Sequence, residues 1–551
     1  MKLKSIFLAG AALALAAGCN LAPSYQAPTT AAADKFKEAM PDAAETMPGW
    51  KPADPRDSAL RGPWWEMYRD PDLDALEARV AVSNQTVAAA EANYRAARAL
   101  ADEARAGWFP TVNLVPSFSR SRASAAAGST SPAAGTTASS GASTPSGSAG
   151  GTQATRNLYT LPLEASYQVD LWGRVRNQVA QNAAAAQASA ADVATALLST
   201  QAQLADDYFE LRAVDEQRRI LDTTLADYEA SFHLVDTLFK NGLASDEDRA
   251  AAEAQLGAAE AAATDLGITR AQYEHAIAVL IGVAPAQFSL HPAPFNPALP
   301  TVPVGLPADL LERRPDVAAA ERNAAAANAG IGIARAAYFP TLSLSASAGY
   351  EANRLSKLFD WPNSFWSVGP SLAQALFDGG ARRAATAQAR ALFDQAAADY
   401  RQAVLSALQA TEDNLASLRI LAAEEKQQHR AALAAQNQVR LSVARYKLGI
   451  DSYVNVITAQ DSFLSNRQAE LEVQVRRLIA SINLINNLGG GWDASQLGET
   501  EKMAKQPPGA GQPAQVPADE AGPGVPNPPP EKLGPPRPEE LLQQDEAALG
   551  P

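Results

Sequence analysis

The four histidines of this 551-residue chain, His233, His275, His291 and His429, are its first candidates for acid–base or metal chemistry. Either role needs partners at short loop or helix spacing, and these four are scattered along the chain. No GxSxG, P-loop, HExxH or zinc spacing accompanies them, so each reads as a surface or helix-face side chain. The run "GIGIAR" at 330–335 has the glycines of a phosphate loop, but it lies inside a helical stretch rather than after a strand. Close helix packing is the better account. A single Cys excludes an intrachain disulfide and a thiolate cluster. Beyond the leader, Met is confined to Met40, Met47, Met67 and Met503, so no thioether ladder is available to line a metal path. No catalytic residue, metal or cofactor is expected. A net charge of −14 with a pI near 5.0 argues against a nucleic-acid partner.

The one side chain with an assigned chemistry is that cysteine. "MKLKSIFLAGAALALAAGCN" opens with Lys2 and Lys4, runs apolar from Ile6 to Ala17 and ends in small residues. This is the layout of a secretory signal, too short for a spanning helix. The Ala-Ala-Gly-Cys ending resembles a bacterial lipobox, with Ala16 where Leu is preferred. The expectation is a signal peptide over 1–18 and an acylated Cys19 as the mature N-terminus, with Asn20 favouring the outer membrane. Each buried methylene adds about 0.8 kcal/mol of membrane affinity, so a triacylated end holds firmly.

These residues must be positioned by long helices interrupted twice by strands. A Pro- and Ala-rich lead-in covers 19–63. Asp70 and Pro71 are placed to cap and open a helix that no proline interrupts until Pro110. Pro-free helical stretches follow at 172–240 and 379–447; 69 residues each make roughly 100 Å at 1.5 Å per residue. The turns "KNGLAS" and "KLGIDS" punctuate them. The Ser/Thr/Ala/Gly tract at 121–155 and the Pro-rich tail at 493–551 have disordered composition, and 283–311 is a Pro-rich connector. Landmarks recur in order: Gly242 and Gly449 stand 207 positions apart, as do Gly282 and Gly489. "AGWFPTVNL" returns as "AAYFPTLSL" 230 positions later. An internal duplication, 64–282 and 312–492, accounts for this.

Between each Phe-Pro and the next Gly the period becomes two. Tyr159, Leu161, Leu163, Ala165, Tyr167, Val169 and Leu171 alternate with polar residues, as do Leu342, Leu344, Ala346, Ala348 and Tyr350. Four strands are expected, at about 108–120, 157–171, 338–350 and 364–377, each of the length of a tilted membrane strand. Trp108, Phe109, Trp172, Tyr338, Phe339 and Phe377 cluster at their ends, as an interfacial girdle requires. Four strands cannot close a barrel, and open edges are not tolerated in lipid. Several chains must therefore pool them.

With "WWEMYRDPDLDAL", the paired "FPT" segments, "DLWGRVR", "LERRPDVAAAERNAAAANAGIGIARAAYFP" and "RYKLGIDSYVNVITAQ" in view, the chain resembles the TolC-like outer-membrane factors, in their OprM-type lipoprotein branch. That resemblance runs from Cys19 to about Trp492. It implies an α+β membrane protein: a homotrimer whose 12-stranded β-barrel, four strands per chain, is continuous with a long periplasmic α-helical barrel. It implies passive, gated efflux of small solutes, with a periplasmic adaptor and an inner-membrane RND-type pump as partners. By motif position, Gly242, Leu243, Ser245, Gly449, Ile450 and Ser452 are the adaptor-docking turns. Tyr446 and Asp248 match a pair that links neighbouring helices when the gate is closed. The inward acids of TolC fall on Asn455 and Thr458, and the Arg of its closing network on Asp451, so the constriction is expected to be polar. Asp461 is the other acid nearby. Protein export through a type I secretion system, and a non-conducting helical envelope spacer, are the alternatives.

Overall fold

A computed structural model of the chain describes residues 20–30, 36–38, 63–122, 155–300 and 313–492. The signal segment with Cys19, most of the 121–155 tract, part of the connector and the 493–551 tail lie outside them. The helices are α1 (Pro71–Ser83), α2 (Gln85–Ala106), α3 (Arg174–Lys240), α4 (Asp246–Leu280), α5 (Pro315–Ala336), α6 (Ala381–Lys447) and α7 (Tyr453–Asn487). The strands are β1 (Thr111–Leu114), β2 (Ser117–Ser121), β3 (Arg156–Val169), β4 (Thr341–Ala352) and β5 (Ser364–Ala373).

The helix expected to run unbroken to Pro110 is two helices. Asp70 caps α1, accepting from the Asp72 and Leu73 amides. Asn84 then caps α2, accepting from Thr86 and Val87, and its Nδ2 donates to the Leu280 carbonyl at 2.7 Å. That bond marks where α4 meets the α1–α2 break end to end. A Cβ on Gly282 would stand 2.2 Å from the Ser83 carbonyl oxygen. An equivalent joint occurs later: Arg314 donates to the Asn487 carbonyl at 3.0 Å, and a Cβ on Gly489 would stand 2.0 Å from the Arg313 oxygen. So α2 stacks on α4, and α5 on α7. At about 1.5 Å per residue each stack approaches the length of α3 or α6. The result is a wall of four columns in the order α2/α4, α3, α5/α7, α6. Flanked on both sides, α3 buries many residues along its length, whereas α6, at an edge, is mostly exposed.

Small residues let these columns approach. Gly332 faces Asn177 and Ala22 so closely that a Cβ would fall 2.5 Å from the Asn177 amide nitrogen. The glycines of "GIGIAR" thus serve packing. The largest core gathers where α1, α3, α4 and α7 meet, around Trp64, Tyr68, Leu73, Tyr208, Phe209, Ile277 and Ile482. Tyr68 and Ser481 share a buried hydroxyl–hydroxyl bond at 2.9 Å.

The strands form one antiparallel sheet in the order β1/β2, β3, β4, β5. The first expected strand is broken at Val115–Pro116, opposite Pro162 of β3, and Val115 donates across the break to the Pro162 carbonyl. Proline lacks the donor a ladder needs, so Pro116 and Pro162, at adjacent register positions on the two strands, interrupt the pairing. On the other side of β3, a Cβ on Gly349 would meet the Leu161 oxygen at 2.2 Å. The first and third expected strands start later, because 107–109 and 337–339 close the preceding helices as turns: Phe109 donates to Ala106 and Phe339 to Ala336. The second and fourth end earlier than expected, at Val169 and Ala373.

Candidate functional site

The register sorts the sheet into two faces. Leu163 pairs with Leu114 and Ala348, and Ala348 with Trp366; Ala165 pairs with Val112 and Ala346, and Ala346 with Val368. These residues alternate with a second set: Asn113, Glu164, Ser347 and Ser367 in one row, Thr111, Ser166 and Ser345 in the next. On the polar face Thr111 bonds Ser166, and Ser347 bonds Ser367, both at 2.9 Å. Val112, Leu114, Trp366, Val368 and Leu372 of the apolar face are exposed. Such a sheet has an oily side and a wet side. Among the described residues no helix is long and apolar enough to cross a membrane.

Where helices meet the sheet, the aromatics take defined places. Trp172 stacks on Phe339 at 4.7 Å between centroids and donates from Nε1 to the Pro340 carbonyl at 2.7 Å, joining the two halves of the chain. Arg382 lies over the Tyr338 ring at 5.7 Å. Trp108 is half-buried, Phe109 is exposed, and Phe377, beyond the end of β5, is 90% exposed. Both long helices begin alike: Asp170 accepts from the Arg176 amide, and Asp378 from those of Gly380 and Arg382. The Arg382 guanidinium and these amides hold the Asp378 carboxyl below its usual range.

At the far end of the wall the two hairpins turn identically. Gly242 and Gly449 adopt φ +69° and +67°, the left-handed values that favour glycine. Leu243 donates back to Leu238, and Ile450 to Arg445, each satisfying a helix-end carbonyl. Leu243 and Ile450 are 75% and 64% exposed, so each turn presents an aliphatic side chain to water. The next helices are capped differently. Ser245 and Asp248 form a reciprocal capping box on α4. On α7, Ser452 makes no side-chain cap bond; Asp451 accepts from its amide and from Asn455 Nδ2 and pairs with Arg445 at 3.3 Å. The Asn455 bond, then the Ser452 amide and Arg445, hold the Asp451 carboxyl below its usual range. Thr458 turns back on its own helix, donating to Val454.

Tyr446 and Asp248 both lie at this tip, but no hydrogen bond joins them among the described residues. Asp248 is occupied by Ser245, while Tyr446 packs at 5.2 Å against buried Tyr453. Burial, then the Asp248 charge, push the Tyr446 phenol up. The link between hairpins is made higher up by Asp461 of α7. It accepts from Gln255 of α4 at 3.0 Å and from Tyr228 of α3 at 3.3 Å. Next to it, Gln460 donates to Ser231 of α3 at 3.1 Å. Asp461 is visible in the sequence as an acid near the turn, but nothing in the local pattern marks Tyr228 or Gln255 as its partners.

A family model described as outer membrane efflux protein matches residues 76–283 and 306–490, well over half of the chain. The chain belongs to the outer membrane efflux protein family. This outer-membrane efflux protein is 30% identical, over 88% of its length and 95% of the relative's, to the antibiotic efflux pump outer membrane protein ArpC of Pseudomonas putida. It is 31% identical, over 80% and 89%, to the pyoverdine export outer membrane protein OpmQ of Pseudomonas aeruginosa. Its fold matches the outer-membrane channel OprN with a TM-score of 0.75 at 29% identity, covering 86% of this chain and all of that one. It is a transport duct rather than an enzyme, located in the outer membrane with its helices extending into the periplasm, and the spacer alternative falls with that membership.

Proposed function

We propose that three copies of this chain close a 12-stranded barrel over a helical barrel, forming the gated exit duct of a tripartite pump for small toxic solutes. The observation that carries this reading is the coincidence of open edges. The sheet is unpaired at β1/β2 and at β5, and the helical wall is open at α2/α4 and at α6. Because β1 follows α2 and β5 precedes α6, a single side-by-side contact between copies seals both layers. The open columns also expose aliphatic side chains: Leu100 and Ile268 on one, Leu405, Ile420 and Leu433 on the other. Lipid forbids the open sheet edge, and closing it turns the polar face inward. The repeated element lengths, 22, 67 and 35 residues in each half, support an internal duplication.

Solutes pass without chemistry. An inner-membrane RND-type pump and a periplasmic adaptor supply them at the tip, where the adaptor meets the turns at Gly242, Leu243 and Ser245 and at Gly449, Ile450 and Ser452. Tyr446, Asp248, Asp451, Asn455 and Thr458 line the constriction, and the Asp461 link holds it shut until the adaptor displaces the hairpins. The wall residues Trp108, Phe109, Trp172, Tyr338, Phe339 and Phe377 mark the inner membrane interface. Acylated Cys19 anchors the chain there. In support, the segment that follows it runs along α5 from its barrel end: Arg335 donates to Leu21 at 3.3 Å, Asn328 to Pro23 at 3.0 Å, and Tyr25 donates to Glu321 at 2.7 Å.

A deletion strain scored together for drug susceptibility and for its secreted proteins tests the assignment. Increased susceptibility with an unchanged secretome is expected. Lost secreted proteins with unchanged susceptibility would assign the duct to protein export instead.

A further inference from the structure

The two hairpin ends of the sheet, farthest from the helices, are basic in an acidic protein. Residues 117–122, 155–160 and 350–364 carry Arg120, Arg122, Arg156, Arg354 and Lys357 against Glu351 and Asp360 alone. Arg120 is paired with Asn157, two residues from the Phe118–Tyr159 pair, and so lies on the oily face. Tyr159 pairs with Ala352. Arg354, two residues further on, has extended backbone, φ −136° and ψ 136°. Residues 353–354 form a bend just past the end of β4, so Arg354 and Arg120 stand at the same end of β4 and β2, the two strands that flank the start of β3. Lys357 follows in the same turn. Among the described residues Arg120, Arg354 and Lys357 have no ion-pair partner.

Aromatic rings lie beside these cations. Phe118 meets Tyr159 at 4.6 Å, and Phe359 meets Tyr350 at 5.6 Å. Phe359 and Trp361 are 70% and 81% exposed, yet their turn is firmly built. Asn363 donates to the Lys357 carbonyl at 2.6 Å, Ser364 to the Trp361 carbonyl at 2.7 Å, and Leu358 is buried beneath. A structured turn that holds two large rings in water, continuous with the oily face and edged by unpaired cations, matches the boundary between acyl chains and anionic headgroups.

We propose that this edge binds an anionic lipid of the outer leaflet, an acylated glycolipid carrying phosphomonoesters, with Arg120, Arg354 and Lys357 on its phosphates and Phe359 and Trp361 among its sugars and upper acyl carbons. This rests on the sheet being the membrane-spanning part of the duct. Arg156 stands apart: it pairs with Ser121 on the wet face and looks into the lumen.

The full-length protein in zwitterionic nanodiscs is titrated with purified phosphorylated glycolipid and with the same lipid after enzymatic dephosphorylation, bound copies being counted by native mass spectrometry. Each cation at an anionic surface contributes roughly fivefold, so R120Q/R354Q/K357Q should bind the phosphorylated lipid about 100-fold more weakly. R120K/R354K should keep most of the binding, which separates charge from side-chain shape. Equal binding of the dephosphorylated lipid, or an unaffected triple variant, overturns the proposal. So does a triple variant that alters ion current in planar bilayers while lipid binding persists, since the cations would then serve the lumen. Wild-type current in the same bilayers keeps the two readings apart: a conducting protein that ignores the lipid sinks the lipid site alone, and a non-conducting one sinks the duct.

Discussion

Asp461 receives Tyr228 from α3 and Gln255 from α4, so one carboxylate ties α7 to both helices of the other hairpin. Burial and the Asp461 charge push the Tyr228 phenol up, which keeps it a donor throughout the physiological range. Bonds to a charged acceptor reach about 1.5–3 kcal/mol when buried; exposure here reduces that to about 1 kcal/mol. Asp461→Ala should therefore raise protease cleavage at the tip turns about fivefold, and unchanged cleavage would remove the link from the gate. A second residue acts through protons. Glu77 is fully buried, and both its carboxylate oxygens lack a partner. Burial, then the neighbouring Asp74 charge, push its carboxyl up to about 9. A folded-state value above the unfolded one favours the fold fully below about pH 4.5, and that advantage is lost as pH rises toward 9, by about 1.4 kcal/mol per unit. The wild-type melting temperature should thus fall between pH 5.5 and pH 8.5 by more than that of Glu77→Gln. Equal falls in the two proteins would show that Glu77 is not the group involved.

At the scale of elements, four helices end with the same glycine motif, at Gly242, Gly282, Gly449 and Gly489, all at positive φ. Their equal spacing was readable because a left-handed residue at a helix end is a local demand that glycine meets best. Two of them also admit another backbone. Gly282→Ala or Gly489→Ala should cost about 3 kcal/mol, since the added Cβ meets a carbonyl oxygen near 2 Å. Gly257, inside α4 with nothing within 4 Å of its Cβ position, should gain about 0.5 kcal/mol as Ala. Chemical denaturation midpoints compare the three, and equal effects would refute the stacked joints. Other features were not legible. The α1–α2 break depends on Asn84 reaching Leu280, a partner 196 residues away, and the split first strand depends on Pro116 meeting β3 next to the position of Pro162. The alternation that separated oily from wet faces was legible, because a strand's side chains alternate whatever lies beside it. Which acid links the hairpins was not, because that is decided by the contact of three helices.

For the whole molecule, the unpaired flanks of sheet and wall call for neighbours. Native mass spectrometry of the detergent-extracted protein should give three copies, and a stable monomer would leave the sheet edges unexplained. A conduit held shut at its tip must both conduct and close, and planar-bilayer recording of the purified protein reads both properties at once. Wild type should insert and carry a small, stable resting current, and Asp461→Ala should carry a several-fold larger one through the same number of channels. Absence of current in both proteins, or a large wild-type current that the substitution leaves unchanged, would contradict a duct gated at the tip.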